Sequence, residues 1–138
     1  MTTWDIITGP DPWPPRYTFS PALRAGNLLF ISGTTASDKE GHIVAPGDIV
    51  GQTRYIFQKF EALLHAAGAG FEHIVQTTDY ITTTENYGRT AEVRREFFRG
   101  RFPTATGVIV QGLAARGGAD RNFGGGGAGC RPRLMTSA

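Results

Sequence analysis

Between residues 49 and 67 the apolar side chains Ile49, Ile56, Phe57, Phe60, Leu63, Leu64 and Ala67, with Thr53 among them, recur at steps of three and four and form one unbroken stripe. A helix that is greasy along one side and polar along the other must lay that side against a second layer, because local helix propensity alone does not hold it together in water. Both ends carry terminating residues: Asp48 can accept hydrogen bonds from the first free amides, and Gly68 suits the left-handed turn that ends a helix. His73 to Thr83 follows, rich in Val, Ile, Thr and Tyr, which pack well on a pleated surface. The central expectation is therefore a helix laid on a sheet.

The remaining elements fit that frame. Trp4 to Pro15 holds Gly9, Pro10, Pro12, Pro14 and Pro15 and reads as an N-terminal arm over residues 1–15. Arg16 to Ser20 and Asn27 to Ser32 read as a hairpin around Ala25-Gly26-Asn27, and His42 to Val44 as a short strand after the turn at Asp38 to Gly41. A second helix is expected from about Glu85 to Phe98, and a further strand from Thr106 to Leu113. The order β-β-β-α-β-α-β over residues 16–113 describes an α+β sandwich with helices on one face of a sheet. At 138 residues the chain suits one domain.

Charge and composition exclude several classes of function. A formal net charge of +2, to which Arg116, Arg121, Arg131 and Arg133 of the Gly-rich C-terminal stretch contribute, gives no broad basic face for nucleic acid. The longest apolar run, Leu28 to Ile31, is far too short to cross a bilayer, and the polar, proline-rich start is unlike a secretion signal, so a cytoplasmic protein is expected. Cys130 is the one cysteine and has no ligand cluster beside it, so neither an internal disulfide nor a metal is expected.

Residues 114–138 differ in character, with no apolar period and with Gly124 to Gly127 in an unbroken run. A sheet of this kind needs a closing strand, and this stretch does not read as one. With GCT for Ala119, GAT for Asp120, CGA for Arg121, AAT for Asn122 and TTC for Phe123, an adjacent reading frame spells Gly-Ala-Leu-Ile-Glu-Ile-Ser-Ala-Val-Ala-Val-Leu, an alternating strand. We read residues 114–138 as the product of a frameshift near Ala114 to Arg116 that removed the closing strand and left an exposed sheet edge. The other reading is a natural Gly/Arg tail that touches RNA weakly.

The runs Gly26-Asn-Leu-Leu-Phe-Ile-Ser-Gly33, Gly47-Asp-Ile-Val-Gly-Gln-Thr53, Leu63-Leu-His-Ala-Ala-Gly68 and Phe97-Phe98 before Phe102-Pro103 together resemble the RidA (YjgF) family over about Arg16 to Leu113. The resemblance implies a chorismate-mutase-like α+β sandwich, a homotrimer with substrate clefts between subunits, and cofactor-free hydrolysis of enamines or imines to a carbonyl compound and ammonium. It also implies an arginine that grips the substrate carboxylate in a bidentate pair, at the position where Pro103-Thr-Ala-Thr106 has Ala105. Further departures are Phe19 in place of a tyrosine, Ala91 in place of an asparagine, and the absence of a glutamate on the last strand that could move a proton.

On that resemblance the candidate substrate-binding residues are Phe19, Gly33, Thr34, Tyr87, Arg94, Thr104, Ala105 and Thr106, and no catalytic residue is assigned. Gly33 allows close backbone approach at the pocket floor. Arg94 is either a relocated carboxylate anchor or a cation near a helix C-terminus that snorkels into solvent. Thr104 and Thr106 are either hydrogen-bond donors to substrate or plain strand residues. His42, His65 and His73 lie without usable partners and read as structural. Three functions follow in order: a RidA-like deaminase of imine, enamine or aminomuconate-type intermediates; a non-catalytic trimer binding small carboxylates or acting as a chaperone; and, last, an endoribonuclease.

Overall fold

The computed structural model describes residues 3–113 and the backbone of residues 130–137. Asp48 does cap the first helix, α1 (Ile49–Ala66): its carboxylate accepts from the Gly51 amide at 3.0 Å. At the other end Gly68 takes φ +73°, which lets the Gly68 and Ala69 amides fold back onto the carbonyls of His65 and Leu64 at 3.0 and 2.8 Å. Ile49, Ile56, Phe57, Phe60 and Leu64 of the expected stripe are all buried.

The layer beneath is a six-stranded sheet in the order β1-β2-β3-β6-β4-β5, with β1 (Trp4–Ile7), β2 (Ala22–Ala25), β3 (Leu28–Ile31), β4 (Ile74–Ile81), β5 (Thr104–Ile109) and β6 (Cys130–Ser137). All neighbours run antiparallel except β4 and β5, whose parallel pairing is connected through the second helix, α2 (Ala91–Phe98). Both helices cover one face. Ala22, Leu29, Ile31, Thr77 and Ile81 point into that side and are buried, while Trp4, Ile6 and Leu28, of opposite parity, stay exposed on the other. The α+β sandwich expected from the sequence is the observed architecture.

The core centres on a cluster of phenylalanines. Phe57 of α1 meets Phe71, Phe97 and Phe98 at ring-centroid distances of 5.4, 5.4 and 5.7 Å, in tilted and edge-on arrangements that the ring quadrupole favours. Phe71 in turn meets Phe97 and Phe98 at 5.0 and 5.1 Å, so the cluster ties α1, α2 and the start of β4 together.

Several expectations need correction. The closing strand is present: β6 runs between β3 and β4, with Ile31 opposite Leu134 and Asp79 opposite Pro132. The sequence argued against it because residues 114–138 show no apolar period, and within 130–137 Pro132, which lacks the amide that a central ladder uses, stands between Arg131 and Arg133. The edge expected to lie bare is therefore paired; the stretch 114–129, where the frameshift was placed, lies outside the described residues. Part of the arm is a strand, because Trp4 to Ile7 pairs with Ala25 to Ala22. The hairpin uses Ala22–Ala25 rather than Arg16 to Ser20, where Pro21 fixes the chain just before the ladder begins. His42 to Val44 forms only a single bridge, Ser37 to Ile43. The second helix begins later than expected: Tyr87 to Thr90 is a 3-10 turn after Asn86 at φ +58°, and α2 proper starts at Ala91. The last strand before the Gly-rich stretch starts at Thr104, not Thr106.

Candidate ligand-binding site

The fold divides the candidate residues into separate groups. Thr104, Ala105 and Thr106 open β5, the edge strand, in register with Gln76, Thr77 and Thr78 of β4, and all three are exposed. Thr104 is held by its hydroxyl, which donates to the Val75 carbonyl at 3.0 Å. Thr104 and Thr106 share the uncovered face of the sheet with Gln76, whereas Ala105 shares the helix-covered side with Thr77. β5 has no ionisable side chain anywhere along its length.

Gly33 and Thr34 follow β3 directly. Ser32 anchors that exit through its amide to the Pro21 carbonyl at 2.9 Å and its hydroxyl to the Ser20 carbonyl at 2.6 Å. Ile31, Leu134, Thr77 and Ala105 lie opposite one another across β3, β6, β4 and β5. Ala105 is thus three strand spacings, about 14 Å, from the end of β3. Phe19 is half-exposed and stacks on Tyr17 at 5.6 Å, with Trp13 edge-on at 5.4 Å. Thr34 is buried and, with Ser32, borders a groove of about 350 Å³ beneath the arm.

Tyr87 and Arg94 form a third group, with a partner that sequence reasoning missed. Asp79 of β4 is buried under α2; the Tyr87 hydroxyl donates to its Oδ2 at 3.0 Å and Arg94 Nη1 lies 3.5 Å from the same oxygen. Arg94 Nη2 also donates to Thr77 Oγ1 at 3.1 Å, and the guanidinium lies over the Phe98 ring at 5.2 Å. Burial pushes the Asp79 carboxyl above the usual carboxylate range, outweighing the neighbouring Arg94 charge and the Tyr87 hydrogen bond, both of which pull it down. Arg94 is accordingly not a snorkelling surface cation: its side chain is 17 % exposed and engaged with Asp79, Thr77 and Phe98. The signal for Asp79 was available, since it shares parity with Thr77 and Ile81 on β4 and an acid at a core-facing position needs a cation or donor beside it.

Among the described residues no group of three or more His, Cys, Asp and Glu side chains is placed to hold a metal ion, and no helix is long and apolar enough to cross a membrane. His42 lies beside Asp38, with Nδ1 at 3.5 Å, and His73 Nδ1 accepts from the Gly70 amide at 3.0 Å, both local contacts.

A sheet in this strand order, covered on one face by two helices, can be matched against known proteins. The family model described as Endoribonuclease L-PSP matches residues 11–118. This chain belongs to that family, the RidA (YjgF) family. A RutC family protein of Pyrococcus horikoshii is 33 % identical over 95 residues, which is 69 % of this chain and 75 % of that one. A RutC family protein of Pyrococcus abyssi is 31 % identical over the same length and shares. Among solved structures, the Rid family protein YyfA of Yersinia pestis superposes with a TM-score of 0.81 at 24 % identity, covering 99 % of this chain and 100 % of that one. A Pseudomonas aeruginosa protein superposes with a TM-score of 0.80 at 26 % identity, covering 99 % and 94 %. These structural likenesses speak for the Rid fold, and the family membership for a Rid-type function in general.

Proposed function

We propose that this Rid protein assembles as a homotrimer through the uncovered face of its sheet and hydrolyses a small imine or enamine, in clefts between subunits, to a carbonyl compound and ammonium. The observation that carries the reading is the division of the site: the end of β3, from which Gly33 and Thr34 follow, lies about 14 Å across the sheet from Ala105, between Thr104 and Thr106. One subunit cannot close a small pocket around both groups, and a cleft shared with a second copy can. Trp4, Ile6 and Leu28, 57, 54 and 40 % exposed on the same uncovered face, supply apolar area for such an interface.

In that cleft the chain offers hydroxyls and backbone amides rather than charges. The Thr106 hydroxyl can donate to the imine nitrogen and the Thr104 hydroxyl, whose own proton goes to the Val75 carbonyl, can accept from a water, and the proton must then come from solvent or the substrate itself. Ala105 provides no guanidinium for a substrate carboxylate, so 2-aminoacrylate is expected to be a poor substrate. A second reading, a trimer that binds small molecules without turnover, is favoured by the lack of any ionisable side chain on β5. The same lack leaves RNA cleavage, the activity in the family model's description, with less support.

The deciding experiment measures ammonium release from freshly generated imines and enamines, including 2-aminoacrylate and 2-aminomuconate, for the wild type and for Thr106→Val. The proposal expects wild-type turnover of at least one substrate and a loss of about tenfold or more in the variant. No turnover by either protein, with ligand still bound, would replace the deaminase by the binding module.

A further inference from the structure

Thr77 of β4 is fully buried, so its hydroxyl must find partners inside the protein. Arg94 Nη2 donates to Thr77 Oγ1 at 3.1 Å. A guanidinium offers donors only, which leaves the Thr77 proton for the Thr104 carbonyl, 3.5 Å away. Arg94 is held in turn by Asp79, whose Oδ2 lies 3.5 Å from Nη1 and accepts from the Tyr87 hydroxyl at 3.0 Å. A line of polar contacts thus runs from α2, past β4, to the backbone of β5. Taking Thr104 and Thr106 as the hydroxyl pair of the cleft, the reading on which this rests, we propose that Arg94 and Thr77 are positioning residues: from the covered side of the sheet they hold the first turn of β5 so that both hydroxyls stay aimed at one substrate.

An edge strand needs such a hold. β5 is paired on one side only, with β4, and five of its six residues are exposed, so side-chain packing does little to fix its tilt. Its two positions on the covered side carry almost no side chain: Ala105 lies opposite Thr77, and Gly107 opposite Asp79. A Cβ on Gly107 would stand 2.8 Å from the Tyr87 hydroxyl, the same hydroxyl that donates to Asp79. Only glycine lets that group press directly on the strand backbone.

The two ends of the segment are therefore fixed by different means. Thr104 is pinned twice, its carbonyl by the Thr77 hydroxyl and its own hydroxyl by the Val75 carbonyl at 3.0 Å. Gly107 is pressed by Tyr87, and Thr106 is carried between the two. Phe98 keeps the relay in place from the helix side, its ring 5.2 Å from the Arg94 guanidinium carbon. Hydroxyls that act on a small substrate must be placed closely, because a shift of about 1 Å from a distant change can cost about a hundredfold in rate.

Removing Arg94 breaks a buried ion pair and threatens the fold, so the test falls on Thr77. Thr77→Val keeps the shape and drops the hydroxyl, whereas Thr77→Ser keeps the hydroxyl and drops a methyl. Packing alone makes Ser the worse variant; positioning makes Val the worse. The values of kcat and KM are measured by ammonium release on whichever imine or enamine of the panel above the wild type turns over fastest. Amide hydrogen exchange of residues 104–106 is measured beside them, without ligand. Thr77→Val should lower kcat about tenfold or more with KM moved less than about twofold, and should speed exchange about tenfold. Thr77→Ser should stay within about threefold of the wild type in both readouts. Equal losses in the two variants, a loss confined to KM, or wild-type exchange in Thr77→Val would overturn the proposal. A wild type without turnover would remove the deaminase reading alone; the exchange comparison then decides, with faster exchange in Val than in Ser supporting the positioning role and equal exchange ending it.

Discussion

Replacing Arg94 with methionine isolates the one buried carboxylate of this domain whose surroundings are described. Arg94→Met keeps an unbranched apolar stem against Phe98 but removes the guanidinium 3.5 Å from Asp79, leaving that acid the Tyr87 hydroxyl alone. Breaking a fully buried pair from one side costs about 3–5 kcal/mol. Here the contact is long and Arg94 keeps 17 % exposure, so about 2–3 kcal/mol is the expected loss. The sign of the pH dependence follows from burial. Asp79 holds its proton to higher pH in the folded protein than in the unfolded chain. Stability is therefore greatest where the acid is protonated, falls as pH rises between the unfolded and folded values, and is flat above. Without Arg94 one of the two influences that lower the Asp79 value is gone, so that window extends upward. The deficit of R94M should be full at pH 8 and shrink toward pH 4.5. Urea unfolding of wild type, R94M and the double variant with Asp79→Asn, at fixed protein concentration and at both pH values, tests this. The double variant should recover most of the loss at pH 8. A deficit under about 0.5 kcal/mol at pH 8, the size of an ordinary surface substitution, or one identical at both pH values, would refute the reasoning.

Phe57→Ala removes the ring that joins three other phenylalanines and should cost about 3–5 kcal/mol in the same unfolding experiment. Asp48→Ala deletes the acceptor for the Gly51 amide and should cost about 1 kcal/mol, seen as a lower Tm with unchanged far-ultraviolet circular dichroism at 25 °C. Leu28→Glu places a charge on the uncovered sheet face and, on the proposed assembly, should move the protein from trimer to monomer by light scattering without unfolding it. A trimer that persists in that variant would remove Leu28 from the interface.

The legible parts of the fold were those with long periods or unambiguous terminators. The stripe of α1, its Asp48 cap and its Gly68 stop are all observed, because an amphipathic face and a left-handed turn are local demands. The strands that escaped were short or chemically disguised. Trp4 to Ile7 was hidden in an arm dominated by prolines, although its own four residues contain none. Cys130 to Ser137 was hidden by Pro132 and two arginines, and only pairing with β3 and β4, distant in sequence, gives it a strand's role. The candidate site was legible as a list of residues and not as a place. Tyr87 and Arg94 pair inward with Asp79, while Thr104 to Thr106 sit at the sheet edge; neither fact follows from local spacing.

The strand that runs down the middle of the sheet is formed by the residues a ribosome would deliver last among those described. Before residues 130–137 emerge, β1, β2 and β3 can pair with each other and β4 with β5, but nothing bridges Ile31 to Thr77. Translation therefore leaves two half-sheets, each with an open ladder beside the other, and the domain closes only when a late segment slides between them. That topology makes β1 to β3 and β4 to β5 depend on a strand made after both: a ribosome stalled before residue 130 would hold a protein with both of these inner edges unpaired.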